Sequence, residues 1–276
     1  MLHTSEQAQR DWNQNITSHI KLLKMQIDQI TSNQEILKAW QKRDIPAVNA
    51  LTQPVFDQLK REFGITHFYF IAPDRTCFLR VHDAGWRGDI INRHSLLAAQ
   101  RTGEDAWSID LGTKGSLTLR YVRPWKQNGK VIGYLELSIE TAHLIRQLSL
   151  EMNLDLLIIV RKECTTQAKF EAGRQLFDFS GQWSAYPDFV VIHQTAQCTS
   201  AGMAAWIRQS IDKSAHRMDM GFLGSRPFSS WIRSTAFLRE TRQPKPKSVS
   251  VGYAMTPSFC RSSAMRSRWR CWGVSG

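Results

Sequence analysis

The sequence predicts an α+β protein: a long N-terminal helix, then a lobe built on one antiparallel sheet, then a second, partial lobe of the same kind. Three observations predict it. Residues 6–43 contain neither Pro nor Gly, and Ile16, Ile20, Leu23, Ile27 and Ile30 recur at spacings of four, three, four and three, the heptad signature of an amphipathic helix. Between residues 68 and 140, short β-branched and aromatic runs alternate with turn residues, and the short connections favour antiparallel pairing. After Asn153 a second, shorter round of strand, helix, strand and helix begins.

A helix of about 36 residues would be about 54 Å long at 1.5 Å per residue. Few small domains bury so long a helix, so its seam either pairs with a second copy in a parallel dimer or lies along its own domain. Leu37 continues the seam past a polar gap near Asn33. Pro46 ends this helix or starts the next, and Thr52-Gln53-Pro54 reads as a further helix start. Val55, Leu59 and Phe63 then share a face, and Gly64 is placed to cap the C-terminus.

Residues 66–72 and 77–82 read as two strands joined at Pro73-Asp74-Arg75. Residues 83–89 form a loop with Gly85 and Gly88, and 92–101 have helical character before Gly103. Residues 116–125 and 130–140 form a hairpin around Gln127-Asn128-Gly129, a specific turn signal. Residues 141–152 are helical. In the second round, 154–160 and 189–192 read as strands and 166–176 and 202–211 as helices.

The net charge of +12 points toward an anionic partner until it is located. Residues 221–276 hold eight Arg and two Lys against one acidic residue, Glu240, while the other 220 residues balance 26 basic with 23 acidic side chains. That last stretch is rich in Arg, Ser and Trp, and its run from Arg266 to Trp272 has no helical or strand period. It is expected to be a basic, disordered or out-of-frame tail that leaves the second lobe with an open sheet edge. Its mixed Arg and Trp supply the rival function, single-stranded nucleic-acid binding through phosphate contacts and stacking, although no nucleic-acid-binding signature accompanies them. The domain boundaries expected are 1–63 for the helical stalk and linker, 64–152 for the first lobe, 153–220 for the partial second lobe and 221–276 for the tail.

Catalytic constellations are absent: no HExxH, GxSxG, P-loop or strand-following GxGxxG occurs. The five cysteines are widely spaced, with no CxxC and no zinc spacing. No enzyme, cofactor or metal is expected. No segment reaches the roughly 18 apolar residues that span a bilayer, and the N-terminus lacks a basic-then-apolar signal pattern.

Candidate binding residues come from the strand pattern. Arg80 and His82 sit two apart and share one side of the sheet. A guanidinium there can hold a carboxylate through two parallel bonds, and an imidazole can donate another and respond to pH. Ser116, Thr118 and Arg120 share a face of a later strand, while Tyr134 and Glu136 are expected on opposite faces of the next. Trp86, Trp107 and Trp125 are positioned to wall a small-molecule site. The competing reading puts Arg80 and Arg120 on a solvent face in cross-strand ion pairs and the tryptophans in the core. Glu136 and Glu140, about 13 Å apart at about 3.3 Å per residue, are read as structural.

A resemblance adds to this reading. Phe78-Leu79-Arg80-Val81-His82-Asp83, then Gly88-Asp89 and Arg93, are similar to the first, PAS-like lobe of double-Cache sensor domains. So are Arg101-Thr102-Gly103, Ile109-Asp110-Leu111-Gly112 and Gly115 leading into Thr118-Leu119-Arg120. Pro124-Trp125, Gly129, Ile132-Gly133-Tyr134-Leu135-Glu136 and Glu140 continue it. The likeness covers roughly residues 21–211. It implies a sensing module outside the cytoplasmic membrane, part of a membrane-anchored receptor ahead of a kinase, cyclase or chemoreceptor region. It also implies ligand sensing by the domain; the ligand expected in the first lobe is a small molecule such as a carboxylate or amino acid, and the homodimer through the N-terminal helix is expected from the heptad seam. The ligand residues expected from the strand pattern are Arg80, His82, Trp107, Arg120, Trp125 and Tyr134, and the resemblance adds weight chiefly to Arg80 and His82.

Overall fold

The computed structural model describes residues 2–112, 115–152, 155–177, 179, 181–195 and the strand segments 239–240 and 249–253. The chain divides into two compact units, one comprising Ile16–Leu111 and Leu117–His143, the other Met1–Asn15, Gly112–Ser116 and Leu144–Gly276.

The first unit carries the sheet of interest. Helix α1 (Leu2–Ser32) runs unbroken to a break where one continuous helix was expected. The polar gap is the cause. Asn33 takes extended backbone angles, and its side-chain oxygen accepts from the amides of Glu35 and Ile36, starting α2 (Gln34–Gln41) as a new helix. Ile16, Ile20, Leu23, Ile27 and Ile30 are all buried within a single copy of the chain. Intrachain packing therefore accounts for the heptad seam. Helix α3 (Ile45–Phe63) starts on Asp44, whose carboxylate accepts from the Ala47 amide, with Pro46 in the first turn. Pro54 lies inside this helix rather than opening a new one, so the two-helix expectation fails there. Gly64 caps α3 in the left-handed conformation (φ 66°), as its place in the sequence predicted.

Five strands follow: β1 (His67–Ile71), β2 (Cys77–Arg80), β3 (Ala106–Leu111), β4 (Leu117–Gln127) and β5 (Lys130–Glu140). They form an antiparallel sheet in the order β2-β1-β5-β4-β3. The β4–β5 hairpin turns on Asn128 (φ 49°) and Gly129 (φ 77°), the paired positive angles of a type I′ turn. Strand β3 was not anticipated. It places Ser108 and Asp110 inward, so its alternation reads as polar.

The period of two sorts the side chains into two faces. One is apolar, with Phe68, Phe70, Leu119, Leu135, Leu137 and Ile139 buried. Trp40 of α2 packs on it, 5.9 Å from Phe70 and 5.8 Å from Trp125 between ring centroids. Arg123 of β4 ties this side to α1 through Asp28 and also binds Asp105. The other face carries His67, Tyr69, Arg80, Arg120, Tyr134, Glu136 and Ser138 by register. Tyr134 and Glu136 thus share a face, correcting the expectation that they oppose each other. Helix α4 (His94–Thr102) covers one end of it, where Leu96, Ala98 and Ala99 pack with Tyr69, Ile71, Cys77, Val122 and Tyr134.

In the second unit β6 (Asp155–Arg161) pairs antiparallel with β7 (Phe189–Gln194). Phe170 of α5 (Gln167–Phe177) meets Phe179, which meets His193 edge-on at 5.4 Å. Within the stretch expected to lack structure, β8 (Arg239–Glu240) pairs with β9 (Val249–Tyr253), and β9 runs parallel to β6. An open sheet edge was expected in this lobe; β9 covers the side of β6 away from β7, and β7 and β8 are the outer strands. The helix expected at 202–211 and the Arg/Trp residues behind the nucleic-acid reading lie outside the described residues.

Candidate functional site

The polar face of the five-stranded sheet gathers more charge than a core of this size needs. Three arginines reach it from three elements: Arg80 ends β2, Arg120 sits mid-β4, and Arg93 is the residue from which α4 starts. Glu136 lies between them, fully buried. Its Oε1 accepts from Arg120 Nη1 at 2.7 Å and from the Ser138 hydroxyl at 3.1 Å. Its Oε2 lies 3.2 Å from Arg93 Nη2. Burial works against the Glu136 charge, but Arg93 and Arg120 outweigh it and hold its carboxyl below the usual range. Burial likewise opposes the Arg93 charge and is outweighed by Glu136 and Tyr69, so Arg93 stays ionised.

Arg80 is already engaged. Its Nη1 and Nη2 donate to the two oxygens of Asp89 at 2.7 and 2.8 Å, and Nη1 also donates to the Trp86 carbonyl at 2.6 Å. Its guanidinium lies 3.7 Å from the centre of the Trp86 ring and 5.3 Å from that of Tyr69. The predicted loop at 83–89 is thereby closed over the sheet end by one side chain.

Beside Arg80 the rings of His67, Tyr69 and His82 cluster. His82 stands edge-on to His67 at 4.7 Å and to Tyr69 at 4.8 Å, with its Nδ1 3.2 Å from the Phe68 carbonyl oxygen. Burial pushes His82 down to about 4, with Arg80 adding to the shift against the Phe68 contact. Burial also drives His67 well below its ordinary value, and Arg120, His82, Arg93 and Arg80 all push the same way. Both imidazoles are neutral at pH 7, and the field at His67 is positive.

Arg93 is the least satisfied of these groups. Among the described residues its side chain makes one hydrogen bond, 3.4 Å to the Tyr69 hydroxyl, and its guanidinium lies over the Tyr69 ring at 4.5 Å. Among the described residues its Nε and Nη2 have no hydrogen-bond partner, and neither do Arg80 Nε, Arg120 Nε, Glu136 Oε2 or Asp110 Oδ1. Asp110 Oδ2 accepts from Ser95 at 3.1 Å and from Ser108 at 2.6 Å. Buried polar atoms without partners are rare in folded proteins and expensive to keep.

Of the residues predicted from sequence, Arg80, His82, Arg120 and Tyr134 come to this face. Tyr134 sits in the apolar cluster under α4, and burial pushes its hydroxyl pKa up. Trp107 and Trp125 do not join them. Trp125 stacks with Trp40 and Phe70 on the apolar face, and Trp107 pairs with Tyr121 there. Trp86, by contrast, reaches Arg80. Sequence reasoning missed Arg93, His67, Asp110 and Glu136 as site residues. Arg93 and Asp110 stood in quoted motifs, and Glu136 was read as structural. Their signal was there in part: a charged residue mid-strand, two places from Tyr134 and two from Ser138.

The family model described as the double sensory domain of two-component sensor kinase matches residues 5–180. Among solved structures, the sensor domain of Escherichia coli DcuS aligns at 16% identity over 49% of this chain and 98% of that one, with a TM-score of 0.43. The sensor domain of the V. cholerae histidine kinase DctB aligns at 14% identity over 63% and 76%, TM-score 0.41. The ligand-binding domain of the Campylobacter jejuni chemoreceptor Tlp3, in complex with 4-methylisoleucine, aligns at 14% identity over 55% and 68%, TM-score 0.32. No curated protein matches the chain.

Proposed function

The chain belongs to the family of double sensory domains of two-component sensor kinases, and from that premise we propose that it senses a small carboxylate on the polar face of its first sheet. The observation that carries this reading is Arg93: a guanidinium at the start of α4, largely buried, with Nε and Nη2 unbonded. Buried ion pairs are weak contributors to stability, and well-packed apolar residues often serve a fold as well or better. A face that keeps three arginines, two neutral histidines and a buried glutamate is therefore better accounted for by recognition than by packing.

The roles divide by geometry. Arg93 contacts the ligand acid, and Arg120, bonded to Glu136, adds positive charge beside it. Arg80 positions the 83–89 loop through Asp89 and Trp86, and His82 and His67 offer neutral ring donors. Tyr134 supports α4, and Trp107 and Trp125 support the helical side. The module sits on the extracytoplasmic side of a membrane-anchored receptor, and no helix among the described residues is long and apolar enough to cross a membrane. It has no chemistry of its own. A ligand that binds two arrangements of the 83–93 segment unequally shifts their populations, and equal affinity would shift nothing. The dimer expected through α1 would have to use a surface other than the seam, which is buried within one chain.

The test is a thermal-shift screen of the whole chain against mono- and dicarboxylates, amino acids and amines. At least one acid raises the melting temperature, since ligand at about 100 times Kd adds about 2.7 kcal/mol. The shift is lost in Arg93→Gln. A screen in which no acid gives an Arg93-dependent shift rejects the reading.

A further inference from the structure

Resting on the carboxylate-sensing reading above, we infer that Glu136 is the protein's own stand-in for the ligand acid: its carboxylate fills the Arg93–Arg120 clamp, and an incoming carboxylate takes its place on Arg93. The grip of the two arginines is unequal. Toward Arg120, Glu136 Oε1 receives an aligned bond of 2.7 Å, and the Ser138 hydroxyl reinforces it. Toward Arg93, Oε2 lies 3.2 Å from Nη2, close enough for charge attraction, yet neither atom has a hydrogen-bond partner. The attraction is present and the directional bond is not.

The unbonded atoms of Arg93 are Nε and Nη2, the edge of a guanidinium that meets a carboxylate side-on with two parallel N–H···O bonds. An exogenous carboxylate on that edge makes the paired bonds that Glu136 does not. Two carboxylates cannot share Arg93 without repulsion. The arrival of the second therefore drives Glu136 wholly onto Arg120 and Ser138. Arg93 is also the N-cap residue of α4, held there by no side-chain cap bond. Its change of partner bears directly on the start of that helix, which gives the exchange a route to movement. Glu136 is thus a specificity-determining residue: it keeps the clamp neutralised and sets the threshold that a ligand acid must exceed.

The test uses the full chain, with sodium acetate and sodium propionate as probes and sodium chloride at matched ionic strength as the control. Thermal-shift titrations are run on wild type, Glu136→Gln and Glu136→Asp. Removing the resident charge lowers the acetate midpoint about tenfold or more, equivalent to about 1.4 kcal/mol of relieved competition. Glu136→Asp keeps the charge but withdraws it by one methylene. If Glu136→Gln does not fold, the aspartate variant carries the test, with an acetate midpoint below that of wild type. Midpoints equal to or above wild type, or acetate acting no differently from chloride, overturn the inference. Failure of the sensing reading itself looks different: wild type ignores every acid in the screen while the Glu136 variants still respond to acetate.

Discussion

Arg80 and Arg93 lie on one face of one sheet, and their neighbours give them different work. Arg80 spends both terminal nitrogens on Asp89 and a third contact on the Trp86 carbonyl. Arg93 spends one, in a long bond to Tyr69. Substituting Arg93 with Gln is therefore expected to remove acid binding, weakening it tenfold or more with a modest change in melting temperature. Substituting Arg80 with Gln instead frees the 83–89 loop: hydrogen exchange there accelerates and ligand affinity falls only partly. A titration of both variants beside wild type checks the contrast, and equal losses of affinity with no change in loop exchange would contradict it. The residue scale is also where sequence reasoning reached furthest and stopped. Period-two spacing put Arg80, His82 and Arg120 on one side, because spacing along a strand is local information. It could not say that Arg80 is bound end-on by Asp89, nor that Glu136 lies between arginines from β4 and the α4 start. Those facts depend on contacts across 9, 16 and 43 residues of chain.

At the scale of elements, the α1 seam is the clearest case of a correct pattern with two structural outcomes. A heptad says that one face is apolar, and the same residues serve a second helix or the protein's own core. Here all five are buried in one copy. Ile27→Ala is accordingly predicted to cost about 2–5 kcal/mol of stability with no change in oligomeric state. Urea unfolding combined with light scattering would check it; a dissociating dimer with intact stability would argue the other way. Gly133 on β5 gives a second element-level prediction. A Cβ there would meet the Trp40 ring and stand 2.8 Å from the Ile71 carbonyl oxygen. Gly133→Ala should destabilise by about 1–3 kcal/mol, read as a lower urea midpoint at unchanged slope. Strand β3 was invisible for a related physical reason. Its inward residues, Ser108 and Asp110, lie on the sheet's polar face, in register with Arg120 and Thr118, so the strand lacked the hydrophobic alternation that announces an ordinary one. The Asn33 break shows the converse: the polar gap was legible, and only the cap geometry revealed that it ends a helix.

For the molecule as a whole, the burial of neutral histidines fixes the direction of its pH response. His82 and His193 are pushed down to about 4, both mainly by burial, and His67 lies well below its ordinary value. A histidine with a lowered folded pKa takes its proton more readily in the unfolded chain. The stability it supports is complete above about pH 6.5 and drains as pH falls toward 4, on the order of 3 kcal/mol for His82 alone. Glu136, also lowered, adds to the loss at the acid end. Melting temperatures should therefore decline from pH 7 to pH 4.5, less steeply in His82→Phe, and a flat profile would contradict the buried neutral state. The most direct trial of the central claim is calorimetric titration of the full chain at pH 7 with the best acid from the screen, in wild type and Arg93→Gln. The account predicts saturable one-site binding to wild type and at least about a tenfold loss, 1.4 kcal/mol, in the variant. Equal affinity in the two proteins would contradict it.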